Sequence, residues 1–70
     1  MPDTEALAEH VASIAGRIAE TERRILRQQG LLAELARRGR DTAEGEKLLR
    51  ELWDTLALLH ERRRLAGDIP

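Results

Sequence analysis

Two histidines, one serine and no cysteine are what this 70-residue sequence offers toward a nucleophile or a metal ligand. Ser13 is the lone serine, so nucleophilic catalysis has little to work with. His10 and His60 belong to no H-E-x-x-H or comparable ligand spacing, which leaves a metal site unsupported unless symmetry brings copies together. They read as surface or boundary residues. The carboxylates lie beside arginines on outward faces, the pattern of solvated ion pairs rather than of an acid/base dyad. The five glycines are scattered and form no phosphate-cradling loop. These residues predict a chain that is not an enzyme and takes no cofactor.

Arginine is the one abundant group with binding chemistry, at eleven residues against a single lysine. Arg37, Arg38 and Arg40 crowd one short stretch, Arg62, Arg63 and Arg64 another, and Arg23, Arg24 and Arg27 lie between them. Such clusters can hold nucleic-acid phosphates. Against that, glutamates are interleaved throughout, no recognition-helix geometry is visible, and Trp53 is the only aromatic available for stacking. Helix-dipole complementarity and ion pairing account for most of the arginines. Nucleic-acid binding is the secondary expectation.

The elements that position these groups are organised around Ala36-Arg37-Arg38-Gly39-Arg40-Asp41-Thr42-Ala43-Glu44. Gly39 can take the left-handed conformation that closes a helix, with Arg37 and Arg38 at the helix's negative end. Asp41 can cap a second helix, and Glu44 stands three residues on, in capping-box position. So short a connection sends the second helix back along the first. The expected architecture is an all-α antiparallel two-helix hairpin, coiled-coil-like, in one domain over residues 1–70. The first helix is expected over 4–38, with Asp3 or Thr4 as its cap, the turn at 39–41, and the second helix over 42–66.

On the first helix Leu7, Val11, Ile14, Ile18, Thr21, Ile25, Gln28, Leu32 and Leu35 recur at alternating intervals of four and three, a heptad seam. Thr21 and Gln28 are its polar members, either tolerated at a partly wet interface or fixing register. Beside the seam run Ala8, Ala12, Ala15 or Gly16, and Ala19, which permit close approach of another helix or simply favour helix. The second helix offers Leu48, Leu49, Leu52, Leu56 and Leu59, flanked by Trp53. Folding about the turn sets Leu35 near Gly45, Ile25 near Leu56, and Thr21 near Leu59. Glu20–Arg24, Glu34–Arg38 and Glu46–Arg50 are spaced for surface ion pairs worth a few tenths of a kcal/mol each.

Two mismatches point beyond a single hairpin. The first helix is longer than the second by about ten residues at about 1.5 Å each, so Leu7, Val11 and Ile14 are expected to project uncovered. The second helix carries an apolar face wider than two helices can bury. A homodimer forming a four-helix bundle would cover both. Its expected interface comprises Leu7, Val11, Ile14 and Ile18 with Leu49, Leu52, Trp53 and Leu56, and Trp53 is the expected anchor.

Net charge is −1 although 36% of residues are charged, so the whole molecule has no electrostatic bias toward nucleic acid or a membrane surface. No apolar run reaches membrane-span length, the first residues are acidic where a secretory leader is basic, and cysteine is absent. A cytoplasmic location is expected.

From Arg23 to Leu65 the chain resembles short uncharacterised helical-hairpin proteins of alphaproteobacteria. The resemblance rests on the stretch Gln28 to Leu32, the turn Gly39-Arg40-Asp41-Thr42, and the leucine-rich helix Leu48 to Arg64. It implies a helical hairpin and carries no established activity or site residues. The leading functional expectation is a non-catalytic protein–protein interaction or scaffold module that presents helical faces to itself, as a homodimer, or to another protein. The alternative is a small nucleic-acid-binding regulator whose contacts Arg37, Arg38, Arg40, Arg62, Arg63 and Arg64 are brought together by dimerisation.

Overall fold

The computed structural model describes residues 4–67, and these form a helical hairpin: α1, Thr4–Arg37, and α2, Ala43–Gly67, packed along each other. The expected cap on Asp3 and the chain end at Pro70 lie outside the described residues.

The turn is built from backbone hydrogen bonds. The Arg40 N–H donates to the Leu35 carbonyl at 2.9 Å and the Gly39 N–H to the Ala36 carbonyl at 3.0 Å. With Gly39 at φ +67°, this is a Schellman closure, which satisfies helix-end carbonyls that would otherwise be orphaned. The Thr42 carbonyl accepts the first bond of α2, from Glu46 N–H at 2.9 Å, so Thr42 is the N-cap residue. Asp41 acts one position earlier than a capping box requires: its Oδ1 accepts from Ala43 N–H at 3.0 Å. Glu44 makes no return bond, because the helix starts too late for it to stand three residues after its cap.

The core is a single line of side chains between the helices: Ile14, Ile18 and Ile25 from α1 meet Leu56, Leu59 and Ala66 from α2. Val11, Leu49 and Leu52 pack partly buried against them. The polar seam residues are both satisfied, by different means. Thr21 Oγ1 donates to the Arg17 carbonyl at 2.8 Å, within its own helix. Gln28 Nε2 donates across to the Gly45 carbonyl at 3.1 Å, which ties one register of the hairpin.

Gly45 packs directly against α1. A Cβ built there would lie 2.3 Å from Leu32 Cδ2 and 3.0 Å from Gln28 Nε2. Gly45 therefore meets Leu32 and Gln28, where Leu35 was expected. Ile25 beside Leu56 and Thr21 beside Leu59 stand as expected.

The predicted overhang is shorter than expected. Ile14 is only 4% exposed, because α2 continues through Gly67 and buries Ala66 in the same cluster. Leu7 and Val11 are half-buried and border an open groove with Ala12, Ala15, Ala66 and Gly67. Of the three surface ion pairs, Glu20–Arg24 forms at 3.3 Å and Glu34–Arg38 at 3.1 Å. The expected Glu46–Arg50 pair does not form, and both residues are exposed.

Candidate interaction surface

Every large hydrophobic side chain that stays exposed among the described residues is the immediate chain neighbour of a residue facing the other helix. Leu26 follows Ile25, Leu31 precedes Leu32, Leu48 precedes Leu49, Trp53 follows Leu52, Leu58 precedes Leu59 and Leu65 precedes Ala66. Consecutive helical residues point about 100° apart, so only one of each doublet can face the partner helix. The inner member is buried or half-buried, and the outer one stands in solvent.

These outer residues fall into three patches. Leu26, 68% exposed, and Trp53, 48% exposed, border one groove between the helices together with Glu22, Gln29, Ile25 and Leu56. Leu31 and Leu48 border the groove on the opposite flank, with Arg24 and Arg27 on its rim. That flank continues past Arg17, Glu20 and Thr55. Leu58 and Leu65, seven residues apart, share the outer side of α2.

The eight residues expected at an oligomer interface divide accordingly. Ile14, Ile18 and Leu56 are buried inside the single hairpin. Val11, Leu49 and Leu52 keep part of their surface, Leu7 is half-buried, and Trp53 keeps about half its surface. Leu26, Leu31, Leu48, Leu58 and Leu65 were not among the expected interface residues. Their signal was the doublet itself, since two adjacent apolar residues cannot share one helical seam.

The arginine clusters sit at opposite ends of α2, with Arg40 at the turn and Arg62 about 29 Å beyond the start of α2 at 1.5 Å per residue, so one hairpin does not unite them. Arg37 and Arg38 share Glu34 as an ion-pair partner. Arg64 pairs with Glu61, and Arg63 Nη2 lies 3.1 Å from His60 Nδ1. Arg40 and Arg62 are exposed. Midway along α1, Arg23, Arg24 and Arg27 approach one carboxylate, Glu20, at 2.8, 3.3 and 3.8 Å. Hydrogen bonding and charge from Arg23, then from Arg24, hold the Glu20 carboxyl below its ordinary value. Arg64 does the same to Glu61 through a hydrogen bond and its charge, and is itself raised in return.

His10 is exposed and His60 is engaged by Arg63. Among the described residues no group of three or more His, Cys, Asp or Glu is placed to hold a metal ion, and no helix is long and apolar enough to cross a membrane. No protein-family model, no curated protein and no solved structure matches the chain.

Proposed function

We propose that this chain is a non-catalytic protein–protein interaction module that acts through its helical faces and associates with itself, two hairpins forming a four-helix bundle. The observation that carries this reading is an incomplete core. Among the described residues no large side chain is fully buried, whereas six large hydrophobic side chains remain on the outside. The molecule is also extended: its radius of gyration is 16.5 Å, against about 11 Å for a compact 70-residue domain. Small chains commonly complete such a core by oligomerising. A cysteine-free composition supports a cytoplasmic location. The turn Gly39-Arg40-Asp41-Thr42 supports kinship with the alphaproteobacterial hairpins it resembles.

Sedimentation equilibrium at low and high salt tests the reading. A mass twice that of the chain at both salt concentrations is expected, because an apolar interface responds weakly to screening. A folded monomer at both refutes self-association.

The second reading, nucleic-acid binding, draws on the three guanidinium groups gathered about Glu20, which leave that segment of α1 net positive. An antiparallel dimer would also set the turn cluster Arg37, Arg38 and Arg40 of one copy beside Arg62, Arg63 and Arg64 of the other. Binding that weakens steeply with salt would favour this reading.

A further inference from the structure

We infer that the flank bearing Trp53 and Leu26 is the face on which a second copy of this chain docks, and that the flank bearing Arg17, Arg24 and Arg27 stays outside the bundle. This rests on the proposal that the chain self-associates and names the surface that does so.

The area argues for an occupant of this size. The hairpin exposes 5577 Å², whereas a compact protein of its mass exposes about 4,400 Å². The excess, about 1,200 Å², exceeds the roughly 800 Å² that each partner buries in a standard stable interface. A second hairpin lying along the first covers an area of that order; a short peptide in one groove does not.

Charge selects the flank. An isologous dimer sets a surface against its own copy, so residues of one sign near the centre meet their like. On the flank of Leu31 and Leu48, Arg24 and Arg27 rim the groove and Arg17 follows, with Glu20 shared among Arg23, Arg24 and Arg27. Glu44, Lys47 and Glu51 border the same flank beside Leu48, so self-docking there would take many charges of both signs out of water. The Trp53 groove has one charged residue on its border, Glu22, beside Gln29. Helical spacing continues that flank of α1 through Ala12, Ala15 and Ala19 on one side of Leu26 and Ala33 on the other, and through Ala57 on α2. These alanines share the flank with the longer Glu22, Gln29 and Arg50, and leave room for a second helix to lie against Trp53 and Leu26.

The chain's single aromatic residue makes the test direct. The wild-type protein is examined by sedimentation equilibrium and by acrylamide quenching of Trp53 fluorescence across a dilution series. It is compared with Trp53→Ala/Leu26→Ala and with Leu31→Ala/Leu48→Ala, alanine being chosen to preserve helix. A dimer is expected in which Trp53 is shielded, with the shielding lost on dilution. Trp53→Ala/Leu26→Ala should raise the dissociation constant by at least about 30-fold, the size of one interface hot spot. Leu31→Ala/Leu48→Ala should change it by less than that. The inference is overturned if the Leu31/Leu48 variant dissociates and the Trp53/Leu26 variant does not. It is overturned equally by a wild-type dimer whose Trp53 is quenched like a half-exposed indole, a result independent of whether any variant folds. Both outcomes leave self-association standing. A wild-type protein that is monomeric at every concentration removes self-association and the docking face together.

Discussion

Replacing Gly45 by alanine tests how closely the two helices meet at the turn, and Gly30→Ala is the internal reference. Alanine in place of glycine within a helix gains about 0.8–1.0 kcal/mol from backbone propensity alone. At Gly30 an added Cβ meets nothing within 4 Å, so that gain stands unopposed. At Gly45 the same Cβ would fall 2.3 Å from Leu32 Cδ2 and 3.3 Å from Leu32 Cγ, so moving one methyl group is not enough and the side chain must turn away. Displacing a half-buried leucine forfeits roughly half of the 1.5–3 kcal/mol that full burial provides, about 0.8–1.5 kcal/mol. Crowding of Gln28 Nε2 at 3.0 Å weakens its bond to the Gly45 carbonyl, a further loss of about 1 kcal/mol. Against the propensity gain, Gly45→Ala should lose about 0.8–1.5 kcal/mol and Gly30→Ala should gain about 1. Each kcal/mol corresponds to about 4–8 °C in melting midpoint for a domain of this size, so the two variants move in opposite directions. Thermal unfolding followed by far-UV circular dichroism, at one fixed protein concentration, reads the difference. Equal stabilisation by both substitutions would show that Leu32 yields freely, and would refute the close approach at Gly45.

Gly39→Ala should destabilise the hairpin by about 1–2 kcal/mol, the cost of a Cβ in the left-handed region at φ +67°, and chemical denaturation measures it. An unchanged midpoint would mean that the turn refolds into another closure. Acid should weaken the fold in a defined window. Arg23 with Arg24, and Arg64, hold Glu20 and Glu61 below the ordinary glutamate value of 4.5, so the unfolded chain takes up these protons first. Their contribution is complete above about pH 4.5 and is lost as the pH falls through the lower folded-state values. Helix content should therefore decline on acidification, and Glu20→Gln/Glu61→Gln should flatten that decline; both carboxylates are exposed, so the effect is small and salt-sensitive. An acid limb of the same steepness in that variant would assign the loss to other carboxylates.

The hairpin was legible in the sequence because its signals are local. Gly39 with its preceding arginines, and Asp41 close before the second apolar run, are backbone chemistry readable from a few residues. The seam from Leu7 to Leu35 is read from spacing alone. The close approach at Gly45 was not legible, since whether a glycine is a weak helix former or a point of contact depends on what stands opposite. Ile14 was misplaced because Ala66, already inside the expected helix, was not read as a residue facing α1, and a lone alanine near a helix end gives no apolar signal of its own. Leu26 and Leu31 were passed over for a different reason. Tracing a seam selects one residue per turn and discards its neighbour, yet in Ile25-Leu26 and Leu31-Leu32 the neighbour defines the outer surface. On α2 the same doublets, Leu48-Leu49 and Leu52-Trp53, did register as a face too wide for two helices.

The stapled turn also sets the order in which the hairpin assembles. The Gln28–Gly45 bond joins residues only 17 apart in the chain, so closing that loop costs little entropy once the Schellman turn has formed. Val11 and Ala66, which border one groove, stand 55 residues apart, so closing that pair first costs about 1 kcal/mol more than closing the loop at the turn. The two helices should therefore zip from the turn toward the open end. Unzipping should begin at the Leu7–Val11 groove, where amide protons would exchange well before those beside Ile25 and Leu56.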